Sequence, residues 1–405
     1  MRTGGFVPVK LGLHPRLPSG RPFGPEQQQR PPPVAAACTT THGGRRRPWH
    51  PKRETSHMNT MKALVKTAKS VGNIELQDRP VPQIARPDEV LIEVKAAGIC
   101  GTDIHILHDN FPYWPPVILG HEFAGEVKEV GPEVTTVKVG DRVIGEPHTK
   151  ACGKCYLCRT GNRQICPTKR SPGWGIDGAF AKFLVMPDVL LHKIPDGLSY
   201  DEAALVEPSA NVVQDVLLRS KIEAGDVAVV LGPGPIGLVA AQCARIGGAK
   251  AVVVVGTNVD EALRMPTARA LGFEHVVNVQ QDDVAKRVQE LSNGRGADVV
   301  IECSGAEPAI NQAVSLLRKQ GRICVIGMTG KKSINFTWDA AIFKDCRIDF
   351  HISTGYECWD RTLALVAGGQ LNVRPLITHR EPLENWKQVF DDVEHQRGLK
   401  ALLVP

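Results

Sequence analysis

Four cysteines, Cys152, Cys155, Cys158 and Cys166, fall in the run ACGKCYLCRTGNRQIC with the spacing C-x2-C-x2-C-x7-C. Thiolates this close in sequence can surround one tetrahedral zinc ion, with Zn–S bonds of about 2.3 Å. Nothing in the run resembles a hydrophobic core, so the metal would have to hold the loop. Four thiolates leave no coordination position for substrate, which makes such a site structural. A redox C-x-x-C pair or the disulfides of a secreted protein are the competing readings. No apolar signal-peptide core precedes the run, and zinc is the expected occupant.

Chemistry is therefore sought upstream. Cys100 opens CGTDIHI, His121 and Glu122 stand in LGHEFAG, and Glu207 stands in LVEPSAN. A thiolate, an imidazole and a carboxylate make an open zinc site when the remaining position is left to water or substrate. Asp103 is expected to accept the second ring N–H of His121 and fix its tautomer. Taken singly, Cys100 reads as a buried thiol, His121 as a core histidine and Glu207 as an acid at a helix start. The combination, in this order, is what points to a metal.

A third constellation is the turn Gly232, Gly234 and Gly237, with G-x-G-x-x-G spacing. Such spacing alone is weak. Here an apolar strand-like run, DVAVVL, precedes it and a helical pattern through Pro235 and Ile236 follows. The first glycine permits the tight turn, the second lets backbone approach a pyrophosphate, and the third lets helix and strand pack closely. The helix N-terminus then faces the phosphates. A ribose-binding carboxylate is expected about 20 residues further on. The second strand instead ends at Gly256 and Thr257, and the nearest acid is Asp260, with Arg264 beyond it. The run supports a dinucleotide and does not choose between NAD and NADP. Gly256, Thr257 and Asp260, with Ile326 at the end of GRICVIG, complete the expected cofactor contacts.

These residues need elements to hold them. From Met61, short strand-like runs such as MKALVKT and EVLIEVKAAGI are broken by Gly and Pro turns. After about residue 220, apolar strands alternate with helices, the pattern of a doubly wound parallel sheet. The expected fold class is α/β. Residues 61–206 form a β-rich catalytic domain with a zinc lobe, 207–344 a Rossmann domain, and 345–405 return to the first domain. Residues 1–60 hold ten Lys/Arg and two acids, in Pro-, Gly-, Arg- and Gln-rich sequence without periodicity. They read as a disordered basic tail. The whole chain has 49 Lys/Arg and 43 Asp/Glu, so the rest carries 39 bases against 41 acids. That near-neutral body argues against a nucleic-acid partner, the function a zinc lobe and a basic tail would otherwise suggest. No apolar run reaches the roughly 18 residues that span a bilayer. The composition fits a cytoplasmic enzyme, with Cys303, Cys324, Cys346 and Cys358 as reduced small side chains.

The order C-G-T-D-x-H, G-H-E, four spaced cysteines, E-P and G-x-G-x-x-G resembles the zinc-containing medium-chain alcohol dehydrogenase superfamily over residues 61–405. Within it the chain looks most similar to polyol (sorbitol/L-iditol) dehydrogenases, with L-threonine 3-dehydrogenases as near neighbours. The resemblance implies a GroES-like catalytic domain, two zinc ions per chain, NAD with NADP possible, and a homotetramer. It implies metal ligation by Cys100, His121 and a carboxylate, for which Glu122 and Glu207 compete. It further implies that Thr102 takes the substrate hydroxyl's proton and that His105 relays it to solvent. The implied substrate is a small polyol, or a hydroxy-amino acid in the alternative class. Phe111, Tyr113, Trp114, His148 and Trp174 are candidates to line its cleft.

Overall fold

A computed structural model describes residues 60–405. Apart from Thr60, the basic tail lies outside the described residues.

Among the described residues the strands form three sheets. The large catalytic sheet is built on the strands Glu89–Gly98 and Glu122–Val130, antiparallel neighbours with Gly98 opposite Glu122. Both alternate buried and less buried positions over part of their length, as expected of a sheet covered mainly on one face. The C-terminal strand Lys400–Val404 pairs with the other edge of Glu89–Gly98, setting Leu402 opposite Gly98. The end of the chain thus returns to the first domain and brings Lys400 towards Glu122. A smaller sheet joins Thr60–Lys66 to Ile74–Pro80 and Val117–Ile118.

The third sheet is parallel and six-stranded. Its order is His275–Asn278, Ala251–Gly256, Val227–Leu231, Ala297–Glu302, Leu317–Val325 and Arg347–Phe350. This is the doubly wound order 3-2-1-4-5-6, in which ligands bind where the order reverses, outside the strands' carboxyl ends. The central strand VAVVL is buried at every position, because helices cover both faces of such a sheet. The last strand lies beyond residue 344, inside the segment expected to have already left this domain. That segment divides: 347–350 extend the parallel sheet, while Ile377–Pro382 and Lys400–Val404 join the catalytic one.

One apolar core spans both large sheets. It takes in Ala96, Ala124 and Ile144 from the catalytic sheet and Val230, Val254 and Ile301 from the parallel one. The helix Val206–Val212 and the wider π-turn that follows it, Val213–Arg219, contribute Val206, Ala210, Val212, Val213 and Val216. Glu207 lies in the first turn of that helix, so the junction of the two domains positions it.

Candidate active site

Cys100 caps the short helix Gly101–Leu107. Its backbone N–H donates to Asp103 Oδ2 at 2.9 Å, the return half of a capping box. The thiol is thereby aimed off the first turn, with Thr102 Oγ1 3.7 Å from Cys100 Sγ. Glu122 opens the neighbouring strand and His121 immediately precedes it. One donor atom from each of Cys100, His121 and Glu122 lies within 4.8 Å of the other two. Glu207 is not part of that cluster, but its charge acts on His121.

The cluster is largely buried and rich in acidic groups. Asp103 and Glu122 are fully buried, His121 is 4% exposed and Glu207 8%. Burial alone would depress His121. The Cys100 thiolate, Asp103 and Glu207 overcome it, and the imidazole is pushed up to about 10. Burial raises Asp103 and Glu207, and the neighbouring Glu122 charge adds to both. Asp103 Oδ1, His121 Nδ1 and Glu122 Oε2 are buried with no hydrogen-bond partner among the described residues. A thiolate and three carboxyl groups around one imidazole therefore invite a cation, and this donor set fits zinc. The expected Asp103–His121 hydrogen bond is not formed; Asp103 Oδ2 accepts the Cys100 N–H, while Asp103 Oδ1 and His121 Nδ1 both stand without a partner.

Lys400 was not expected here. Its Nζ donates to Glu122 Oε1 at 2.6 Å and to the Ile99 carbonyl at 2.9 Å. Glu122 Oε2 lies 2.5 Å from the same ammonium, without hydrogen-bond geometry. A Cβ at Gly98 would fall 2.2 Å from Glu122 Oε2 and 3.2 Å from Lys400 Cε, so only glycine leaves room for the pair.

The aromatic candidates separate. Trp174 packs edge-on to His121, with ring centroids 5.1 Å apart, and to Phe111 at 5.6 Å, so these two stand beside the cluster. Tyr113 is fully buried, and its hydroxyl donates to Asp109 Oδ1 at 2.6 Å; it is a packing residue. Trp114 stacks under Arg170. His148 is buried, with Nε2 2.8 Å from the Thr354 carbonyl. His105 is half-buried one turn after Thr102. Its Cε1 is 3.8 Å from where a Gly330 Cβ would stand, against the loop beyond the strand Leu317–Val325.

In the second cysteine group, Cys152 and Cys158 Sγ are 3.9 Å apart, and Cys155 and Cys166 Sγ 4.0 Å. The edge of a tetrahedron with Zn–S bonds of about 2.3 Å is about 3.8 Å, so these separations fit one zinc ion. Backbone N–H groups point at the sulfurs: that of Cys152 reaches Cys166 Sγ at 3.4 Å and pulls the Cys166 thiol down to about 6. Cys152 is lowered as well, by the backbone N–H groups of Lys154 and Cys155, whereas burial and the neighbouring thiols push Cys158 up to about 12.

The glycine turn opens onto a cavity of about 680 Å³ lined by Gly232, Gly234, Gly256, Thr257, Asp260 and Arg264, among others. Gly232 has φ +97°, and a Cβ on Gly237 would sit 1.8 Å from the Gly232 carbonyl oxygen. Around Gly234 that space is open. Pro235 begins the helix Pro235–Ile246, where its missing N–H costs no helical bond. Ile236 and Ile326 pack against the shared core, and the Ile326 N–H donates to the Glu302 carbonyl at 2.9 Å.

Comparison with known proteins agrees with this architecture. The model for the alcohol dehydrogenase GroES-like domain matches residues 86–196, and that for zinc-binding dehydrogenases matches 235–368. Sorbitol dehydrogenase of Halalkalibacterium halodurans is 37% identical over 345 residues, 85% of this chain and 99% of that protein. L-threonine 3-dehydrogenase of Bacillus licheniformis is 38% identical over 356 residues, 85% of this chain and 99% of that protein. A Sinorhizobium meliloti 1021 structure bound to NADP, described as a zinc-binding dehydrogenase, superimposes with TM-score 0.79. It has 32% identity and covers 86% of this chain and all of that one. With a GroES-like domain, a Rossmann sheet and relatives this similar along most of its length, the chain belongs to the zinc-binding medium-chain alcohol dehydrogenase family, oxidoreductases that act on CH–OH donors with NAD(P).

Proposed function

We propose that this enzyme oxidises a secondary hydroxyl of a small polyol of the sorbitol type. The observation that carries the reading is the buried Cys100–His121–Glu122 cluster with Glu207 and Thr102 beside it. Cys100, His121 and Glu122 are the proposed ligands of the catalytic zinc, and the four lobe cysteines those of the structural one. When bound, zinc supplies a Lewis acid that lowers the hydroxyl's pKa, and the nicotinamide accepts the hydride. Lys400 holds Glu122 in place through its ammonium. Trp174 and Phe111 shield the His121 side from water. Thr102 takes the proton leaving the substrate hydroxyl, and His105, one turn along the helix and half-exposed, passes it to solvent. Glu207 orients the same hydroxyl from the domain junction.

Thr102→Ala is expected to lower kcat by about 10²–10⁴-fold, the usual cost of one positioned proton-transfer group. Cofactor affinity should stay within about threefold, because the glycine turn is built from other residues. A variant with unchanged kcat near neutral pH removes Thr102 from the relay.

The substrate reading is tested by kcat/KM on sorbitol-like polyols, L-threonine and simple alcohols, each with NAD and NADP. Preference for a polyol supports it. Preference for L-threonine moves the chain to the second reading, which the 38% identity to the Bacillus licheniformis enzyme supports.

We also propose a homotetramer. Trp338, Ile342, Phe343, Phe350 and Ile352 are all exposed, on or beside the last strand of the parallel sheet, and exposed apolar clusters of this kind mark association surfaces. Light scattering that gives a monomer discards this. No helix among the described residues is long and apolar enough to cross a membrane. We place the enzyme in the cytoplasm, where thiols such as those of Cys243, Cys324 and Cys358 stay reduced.

A further inference from the structure

The strand end that reads the adenosine ribose in a Rossmann fold carries no available carboxylate in this chain. Gly256 occupies it, and a Cβ there would lie 3.0 Å from Pro233, 3.1 Å from Met265 and 3.2 Å from Asp260. A carboxylate side chain at this position would press on all three. Asp260 is the nearest acid downstream, and it is already engaged. It is 5% exposed. Its Oδ2 accepts the Thr257 backbone N–H at 2.8 Å and the Thr257 hydroxyl at 3.0 Å, while Oδ1 accepts Arg264 Nη1 at 3.2 Å. Asp260 thus caps the turn Asn258–Asp260. A ribose 2′-hydroxyl entering here would not find the free carboxylate that NAD recognition uses.

Donors, in contrast, are present. Arg264 and Gln280 line the same cavity as Gly232 and Gly234. The guanidinium touches Asp260 end-on, through Nη1 alone, and the same nitrogen donates to Gln396 Oε1 at 3.0 Å. Its Nε is buried without a partner among the described residues. The planar fork is therefore not consumed by a bidentate carboxylate, and Nη2, which makes no hydrogen bond among the described residues, remains for an anion. Gln280 uses its carbonyl oxygen to accept the Asn258 N–H at 2.8 Å, which leaves its amide NH₂ as a second donor.

We infer that this enzyme prefers NADP(H) to NAD(H), with Arg264 pairing with the 2′-phosphate and Gln280 as a supporting donor. The inference rests on reading this cavity as the dinucleotide site. It concerns binding alone, independent of which alcohol is oxidised.

The test is direct titration of the zinc-loaded enzyme with NADPH and NADH, followed by fluorescence without alcohol substrate. NADPH should bind at least about tenfold more tightly, the scale of one charged hydrogen bond. Arg264→Gln should weaken NADPH about 10–100-fold and leave NADH within about threefold. Arg264→Lys should recover part of the NADPH affinity, because it keeps the charge while losing the fork. Equal or tighter NADH binding by the unmodified enzyme overturns the inference. So does a loss shared equally by both cofactors in Arg264→Gln with NADPH still preferred, since another group would then hold the phosphate. If neither dinucleotide binds, the assignment of the cavity itself fails, and the inference with it. The wild-type comparison decides the preference even if the variants fold poorly.

Discussion

Cys100→Ala is expected to lower kcat/KM by at least about 10³-fold. Removing a single neutral donor to developing charge already costs about 10²–10³-fold in well-studied sites, and a divalent cation supplies more charge than such a donor. The substitution deletes one of three donor atoms that lie within 4.8 Å of one another. The others cannot compensate: Glu122 is tied to Lys400, and His121 can supply only one imidazole nitrogen. Metal analysis should fall from two zinc ions per chain to one, and the remaining ion should resist mild chelation. Cofactor binding should persist, because the glycine turn lies in the other domain. Two zinc ions retained, or turnover near that of the unmodified enzyme, would falsify the ligand assignment.

Cys152→Ser is expected to act on stability instead. Within residues 152–166, Cys166 is the only buried side chain, and Tyr156 is 79% exposed. A loop with so little apolar burial cannot offset its ordering entropy unaided, so metal binding and folding of the lobe are one event. Three thiolates and a serine hydroxyl bind zinc far less tightly than four thiolates. The variant should lose one zinc per chain, become sensitive to protease within 152–166, and melt about 5–10 °C lower, equivalent to about 2–3 kcal/mol. Its kcat, measured on the protein that remains folded, should stay within about tenfold. Unchanged melting, metal content and protease resistance would show that the lobe stands without its metal.

The two substitutions separate two kinds of information in the chain. The lobe and the glycine turn are local devices. C-x2-C-x2-C-x7-C brings four sulfurs together within fifteen residues whatever the rest of the protein does. The close approach of Gly237 to the Gly232 carbonyl is likewise set by a turn of six residues. Alternating strands and helices after residue 220 similarly specify a parallel sheet, because crossover connections allow few other arrangements. The fold class was legible for these reasons.

What the tertiary structure decided depends on contacts between distant parts of the chain. Lys400 reaches Glu122 across 278 positions, through the pairing of the C-terminal strand with Glu89–Gly98. No spacing rule announces a partner delivered by a neighbouring strand. Glu122 and Glu207 were equivalent as letters; folding sets Glu122 on the strand beside Cys100 and His121, and Glu207 in the first turn of a helix at the domain junction. Tyr113 and Trp174 read alike as cleft candidates; packing buries the first, bonded to Asp109, and sets the second edge-on to His121. Asp260 looked like a displaced ribose ligand, yet its two oxygens are taken by Thr257 and Arg264. The sequence alone determined which residues have ligand chemistry and which turn admits a pyrophosphate, since both follow from covalent spacing. Only the packed sheets decided which carboxylates remain free to bind anything, because a carboxylate's role is set by the donors that folding brings against it.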